Sequence, residues 1–135
     1  MTRLVAECRE GGPVAGLEAG LAAVAREWAL VLAADMPWLR PEVLELLAAA
    51  ATVADGSVDV VALESAPGVA EPLPAAYRRR VLARARRNVD AGRLRMLDLL
   101  ADTSVQLVER RRWMAADPSG RSVRSVNRPE DLPAP

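Results

Sequence analysis

The stretch "WALVLAADMPWLRPEVLELL", Trp28 to Leu47, decides the fold. Trp28 to Ala34 is an unbroken apolar run, short enough for a strand and with no polar face to offer solvent. It reads as a strand buried on both sides, the pattern of a parallel sheet covered by helices. The run stops on an acid, Asp35, and a Met-Pro turn follows. Pro41 then opens a segment in which Val43, Leu44, Leu46 and Leu47 share one helical face. A core strand that ends on a carboxylate needs a reason, and the reason bears on function.

The pattern continues on both sides of this unit. Upstream, Arg3 to Glu10 is short and mixed. Gly11 and Gly12 break structure, Pro13 suits a first helical turn, and Val14, Leu17, Leu21 and Val24 predict a helix to about Arg26. Downstream, Asp55-Gly56-Ser57 ends the second helix and Val58 to Glu64 reads as a strand. "SAPGVAEPLPAAY" is loop-like, with a short strand near Leu73 to Tyr77. Helices follow over Arg78 to Ala91 and Leu94 to Ala101, with Gly92 between them, and "SVQLVER" is a last strand. From Arg111 the chain is polar and Pro-rich. Helices that alternate with short apolar strands predict an α/β fold with a mostly parallel sheet, one domain over residues 1–135.

Composition excludes several functions. There are eighteen basic and eighteen acidic residues, so no global charge draws the chain to nucleic acid or to a membrane surface. With no His and a lone Cys8, neither a zinc site nor a disulfide framework is expected. No signal peptide and no spanning apolar run stand out, which makes a cytoplasmic setting the default. Every basic residue is Arg; Lys is absent.

Three features carry chemistry. Ligands of open α/β sheets bind beyond the carboxyl ends of the strands, and a carboxylate there can hold Mg2+, which takes oxygen ligands and bridges to phosphates. Asp35 stands at that position. Equally on the pattern alone, it caps the following helix or sits in a polar turn. Gly12, Pro13 and Gly16 open a helix whose N-terminus favours anions; an ordinary turn with close helix packing is the plainer reading. Between Arg78 and Arg95 lie eight Arg and one acid, Asp90. This basic face can receive phosphates, but a solvated helix face is the plainer reading, and aromatic partners for nucleic-acid bases are lacking nearby. Glu71 and Asn127, each close before a proline, are by themselves turn residues.

Taken in order, "GGPVAGLEAGL", "LVLAADMPWLRPEVLELL", "EPLPAAYRRRVLARA", "AGRLRMLDLL" and "VNRPEDL" resemble the MobA-like molybdenum cofactor guanylyltransferase family over about Gly11 to Leu132. The resemblance implies a three-layer αβα nucleotidyltransferase sandwich, Rossmann-like in its layering. It implies transfer of GMP from GTP to molybdopterin with Mg2+, or the CTP-dependent counterpart. It assigns Asp35 to the metal through an Asp-x-Pro motif with Pro37, Gly12, Pro13 and Gly16 to the nucleotide, and Glu71 to the pterin side. Asn127 is the second Asn of an Asn-x-Asn-x-Pro-Glu-Asp motif whose first Asn is here Ser125 and whose Thr is Arg128. The family's opening strand and Gly-rich loop with Arg and Lys have no counterpart in this sequence. That implies an N-terminally truncated domain with unpaired strand edges. It also implies either impaired transfer, a non-catalytic module for pterin or protein, or self-association to complete the sheet.

Overall fold

Residues 2–6 and 12–124 are described by the computed structural model, and their apolar runs form one five-stranded sheet. In chain order the elements are β1 (Thr2–Ala6), α1 (Gly12–Ala22), β2 (Trp28–Ala33), α2 (Pro41–Val53), β3 (Val60–Ala66), β4 (Val69–Arg78), α3 (Val81–Asp90), α4 (Met96–Ala101), β5 (Val105–Val108) and α5 (Arg110–Ala116), followed by a 3-10 turn at Arg121–Val123. The strands lie in the order β1-β2-β4-β3-β5. β1 runs parallel to β2 and β5 parallel to β3, whereas β4 is antiparallel to both β2 and β3. Four strands therefore point one way, as the mostly parallel pattern requires, and β4 alone runs against them.

The alternation of side chains across each strand makes three layers. Ala29, Val31, Val60, Ala62, Ala75 and Tyr77 pack on one face against Val14, Leu17 and Leu21 of α1, Val81, Leu82 and Ala85 of α3, and Leu99 and Leu100 of α4. Leu30, Val61, Leu63 and Ala76 pack on the other face against Val43, Leu44 and Leu47 of α2 and Trp113 of α5. This double burial accounts for the unbroken apolar run at Trp28. With no Phe in the chain, Trp113 and Tyr77 are the largest fully buried side chains, and Leu, Val and Ala fill most of the rest.

Several sequence expectations are corrected. β1 occupies part of the mixed segment Arg3 to Glu10; its parallel pairing, Thr2 with Ala29 through Ala6 with Ala33, borders β2 on the side away from β4. Thus β2 has partners on both sides, and the outer strands of the sheet are β1 and β5. α1 ends at Ala22, where bonds from Ala23 N–H to Gly20 O and Val24 N–H to Leu21 O tighten the chain; Val24 stays buried and so continues the apolar period past the helix. α3 starts at Val81, because Arg78 still pairs with Trp28 in the sheet. α5 forms where a polar, Pro-rich segment was expected, since Trp113 inserts into the second core and its indole N–H donates to Glu64 O at 2.9 Å.

The ten-residue β4 replaces a loop with a short strand. Pro67-Gly68 turns β3 into β4, with Gly68 at φ 74° in the region that favours glycine. Proline cannot donate to a ladder. The pairing avoids this: Ala62 faces Ala75 while the next residue, Leu63, faces Glu71, so Pro72, Leu73 and Pro74 form an excursion outside the register. Among the described residues, no helix is long and apolar enough to cross a membrane.

Candidate functional site at the carboxyl edge of the sheet

Asp35 lies two residues past the end of β2, in an exposed turn. The alternative that it caps the next helix does not hold. α2 begins at Pro41, with Arg40 in the capping position in an extended conformation and no side-chain cap. The turn itself is short and braced. Pro37 and Pro41 restrict the backbone, Met36 packs on the first core and Leu39 on the second, and Leu39 N–H reaches Met36 O at 3.4 Å.

Topology brings most of the sequence candidates to this edge. Ala6 ends β1 opposite Ala33, so α1, which follows β1, begins at the same edge with Gly12, Pro13 and Gly16 in its first two turns. β4 runs the other way, so its first half reaches this edge, with half-buried Glu71 beside the Pro72–Pro74 excursion. The excursion is tied back by the Tyr77 hydroxyl, which donates to Pro72 O at 2.6 Å; burial pushes the Tyr77 phenol well above its ordinary pKa. Beside it, Glu64 near the end of β3 accepts Gly68 N–H at 3.1 Å and Arg110 N–H at 3.3 Å, fastening the hairpin turn to the start of α5. Asn127 lies outside the described residues.

A helix N-terminus and an exposed carboxylate at one sheet edge suit a phosphate ligand with its metal. Among the described residues no group of three or more potential metal ligands is present. A single exposed carboxylate such as Asp35 can help to hold a divalent cation whose shell substrate phosphates and water complete. It does not by itself make an all-protein cage.

The arginine run serves a different purpose and begins at the opposite, amino edge, where Arg78 pairs with Trp28. Arg78 is buried, with 6% of its surface exposed. Its Nε donates to Val58 O at 2.7 Å and one terminal nitrogen to Asp55 O at 3.0 Å; the other binds the Glu27 carboxylate, and the guanidinium lies 4.2 Å from the Trp28 ring centre. Arg79 Nε donates to Val24 O and Arg80 Nε to Asp59, both at 2.6 Å. Arg86 pairs with Glu18, and Arg93 with Asp98 and Asp102. The basic face is thus largely spent on holding elements together. A hollow of about 610 Å3 at this edge is walled by Arg26, Glu27, Trp28, Thr52 and Arg78, and Arg80, Arg84 and Arg87 line a smaller one of about 200 Å3 with Asp59 and Asp102. Neither contains a residue of the carboxyl-edge group. For an α/β sheet the carboxyl edge is the better candidate, because ligands bind beyond the carboxyl ends of the strands.

One buried polar unit was not singled out by the sequence. Asp117, with no exposed surface, accepts the Ser119 hydroxyl at 2.6 Å and Ser122 N–H at 2.9 Å. Burial pushes its carboxyl up, but these bonds and the Arg40 charge outweigh that and leave it below the ordinary carboxylate range. "ADPSGRS" carries the signal in its Asp, Ser and Gly, each a turn former.

Comparison with known proteins agrees with this architecture. Residues 2–107 match the family model described as the MobA-like NTP transferase domain. A protein of Chloroflexus aggregans named probable molybdenum cofactor guanylyltransferase is 38% identical over 133 residues, a match covering 96% of this chain and 62% of that protein. The molybdenum cofactor guanylyltransferase of Desulfosudis oleivorans is 31% identical over 121 residues, covering 90% and 58%. The crystal structure of molybdopterin-guanine dinucleotide biosynthesis protein A from Archaeoglobus fulgidus superposes with a TM-score of 0.75 at 26% identity, covering 87% of this chain and 57% of that one. A putative protein from Aquifex aeolicus shares the fold, with a TM-score of 0.63 at 21% identity over 93% of this chain and 70% of that one. The chain spans about three-fifths of the length of the two guanylyltransferases it matches.

Proposed function

The chain belongs to the MobA-like NTP transferase domain family, and from that premise we propose that it acts in guanylylation of the molybdenum cofactor. An oxygen of the molybdopterin phosphate attacks the α-phosphorus of GTP. The bond from that phosphorus to the bridging oxygen breaks, and pyrophosphate leaves. The relatives named guanylyltransferases supply the substrates of this reading. The observation that carries it is the exposed carboxylate of Asp35 just beyond a doubly buried strand, at the edge where α1 begins.

In this reading residues 1–135 act as one cytoplasmic domain. Asp35 holds Mg2+, Gly12, Pro13 and Gly16 border the nucleotide, Glu71 faces the pterin side and Asn127 lines the site. When bound, the metal neutralises charge on the triphosphate. The first turn of α1 adds the unpaired N–H groups and positive pole of a helix, which favour a phosphate in the same place. Pro37 keeps the Asp35 turn in one shape, so the carboxylate meets its ligand at small entropic cost. Phosphoryl transfer rests on such positioning and on fixed positive charge.

The lack of Lys throughout the sequence favours a second reading, in which nucleotide or pterin binds without turnover. Calorimetry with GTP, with and without Mg2+, tests the first step. Binding should depend on Mg2+, weaken at least tenfold in Asp35→Asn, and resist competition by CTP. Pyrophosphate release on adding molybdopterin then separates transfer from binding alone. Metal-independent binding that is equal in Asp35→Asn would remove Asp35 from the site.

A further inference from the structure

The turn that carries Asp35 is fastened by a loop from the far end of the chain. Arg40 N–H, just before α2, donates to the Ser122 hydroxyl oxygen at 3.2 Å across 82 residues of sequence. Arg124 places its guanidinium 5.8 Å from the ring centre of Trp38, within the same turn. The loop is itself held rigidly. Both carboxylate oxygens of buried Asp117 are engaged, one by the Ser119 hydroxyl and one by Ser122 N–H. Ser119 Oγ accepts Arg121 N–H at 3.2 Å, and Gly120, at φ 68°, returns its N–H to Asp117 O at 3.0 Å. Ser122 is fully buried. Its hydroxyl is therefore a fixed acceptor, and the turn docks onto it.

We infer that the Asp117–Arg124 loop is a positioning element for Asp35: it fixes the turn Ala34–Arg40 through Ser122, with Asp117 acting on Ser122 rather than on any ligand. This rests on the reading of Asp35 as the metal-holding group. Within the turn the Leu39-to-Met36 bond is long, at 3.4 Å, so the Arg40-to-Ser122 bond is the better of the two backbone restraints. A carboxylate held in one geometry binds a metal–phosphate pair more tightly than one that must be ordered on binding.

Ser122→Ala tests this, because it removes the acceptor and leaves Ser122 N–H on Asp117; Ser122→Thr restores the hydroxyl. Two quantities are measured on the full chain: amide hydrogen exchange over residues 34–40, and the affinity for GTP with Mn2+, read by electron paramagnetic resonance, against GTP without metal. Ser122→Ala should speed exchange in the turn and weaken Mn2+-dependent binding about three- to tenfold, the range of one hydrogen bond. Metal-free GTP binding and exchange in the sheet should be unchanged, and Ser122→Thr should recover wild-type values. Unchanged exchange in the turn of Ser122→Ala overturns the inference, as does a loss spread evenly over the sheet or one that Ser122→Thr fails to correct. A wild-type chain whose turn responds as expected but which binds no Mn2+–GTP upholds the fastening and overturns the proposed function alone.

Discussion

Asn88 gives a direct test of how this core is built. It occupies the inner face of α3 with Val81, Leu82 and Ala85, and only 3% of its surface is exposed. Among the described residues its buried side-chain nitrogen has no hydrogen-bond partner. A buried polar group left unpaired costs about 1–3 kcal/mol. Asn88→Leu removes that cost and adds apolar burial. Leu also favours a helix by a few tenths of a kcal/mol over Asn. Against this stands the different shape of Leu, and a poorly accommodated side chain in a close-packed core costs about 1–3 kcal/mol. α3 packs there against α1 and α4. The balance of these contributions is a gain of about 1 kcal/mol. For a domain of this size that raises the melting temperature by about 3–5 °C. Far-UV circular dichroism through thermal and urea unfolding measures it, with Asn88→Ala as the partner variant that removes the amide without adding bulk. A loss of more than about 1 kcal/mol in both variants would refute the reasoning, because it would mean the amide is satisfied in solution and supports the fold.

Two further predictions concern stability. Tyr77→Phe deletes the hydroxyl on Pro72 O and leaves that carbonyl unpaired, so unfolding by urea should show a loss of about 1–2 kcal/mol; no measurable loss would mean the Pro72–Pro74 excursion is held without it. The carboxyls of Asp59 and Asp117 both lie below the ordinary range. For Asp59 burial pushes the carboxyl up, but Ser104 N–H and the Arg80 pair outweigh it. The unfolded chain then takes up protons at higher pH than the folded one. Their stabilisation is complete above about pH 4 and fades as pH falls through the lowered values. Urea midpoints from pH 6 down to pH 2.5 should drop in that window, and Asp117→Asn should flatten the drop; an equal slope in wild type and variant would rule Asp117 out as a contributor.

Much of the architecture was legible because it depends on apolar period. β2, α2 and β5 follow from runs whose spacing is independent of distant contacts. β4 was not, because its prolines argue against a strand and only the register slip opposite Leu63 shows how they are tolerated. β1 and α5 were hidden for a different reason. Each is short, and each is stabilised from outside, β1 by pairing with β2 and α5 by Trp113 entering the second core. At the candidate site the residue types and their placement at element ends were legible. Their convergence on one edge was not, since it follows from strand directions. The Asp117–Arg124 loop could be read as a turn, but nothing local indicates that its partner is Arg40, 82 residues before Ser122.

The two edges of the sheet use polar groups in opposite ways, and the arginines show why. At the amino edge, Arg78 reaches two backbone carbonyls and a carboxylate at once while its face covers Trp28. A planar guanidinium can do this; a Lys ammonium, a point donor at the end of a flexible stem, cannot. The carbonyls come from the loop between α2 and β3, the carboxylate from the segment before β2, and Arg78 itself from the end of β4, so one side chain joins three segments. Its backbone N–H, donated to Asp59 O at 2.8 Å, adds a further tie to the loop before β3. A hollow walled by such a residue offers a ligand few unspent donors, because each bond to a ligand would break one that holds the fold. Toward the carboxyl edge structure is fastened by Glu64, by the Tyr77 hydroxyl on Pro72 O, and by Asp117 through Ser122. Asp35 stays exposed. An exposed carboxylate in braced surroundings suits a metal–phosphate site, and this asymmetry is what makes the carboxyl edge the candidate.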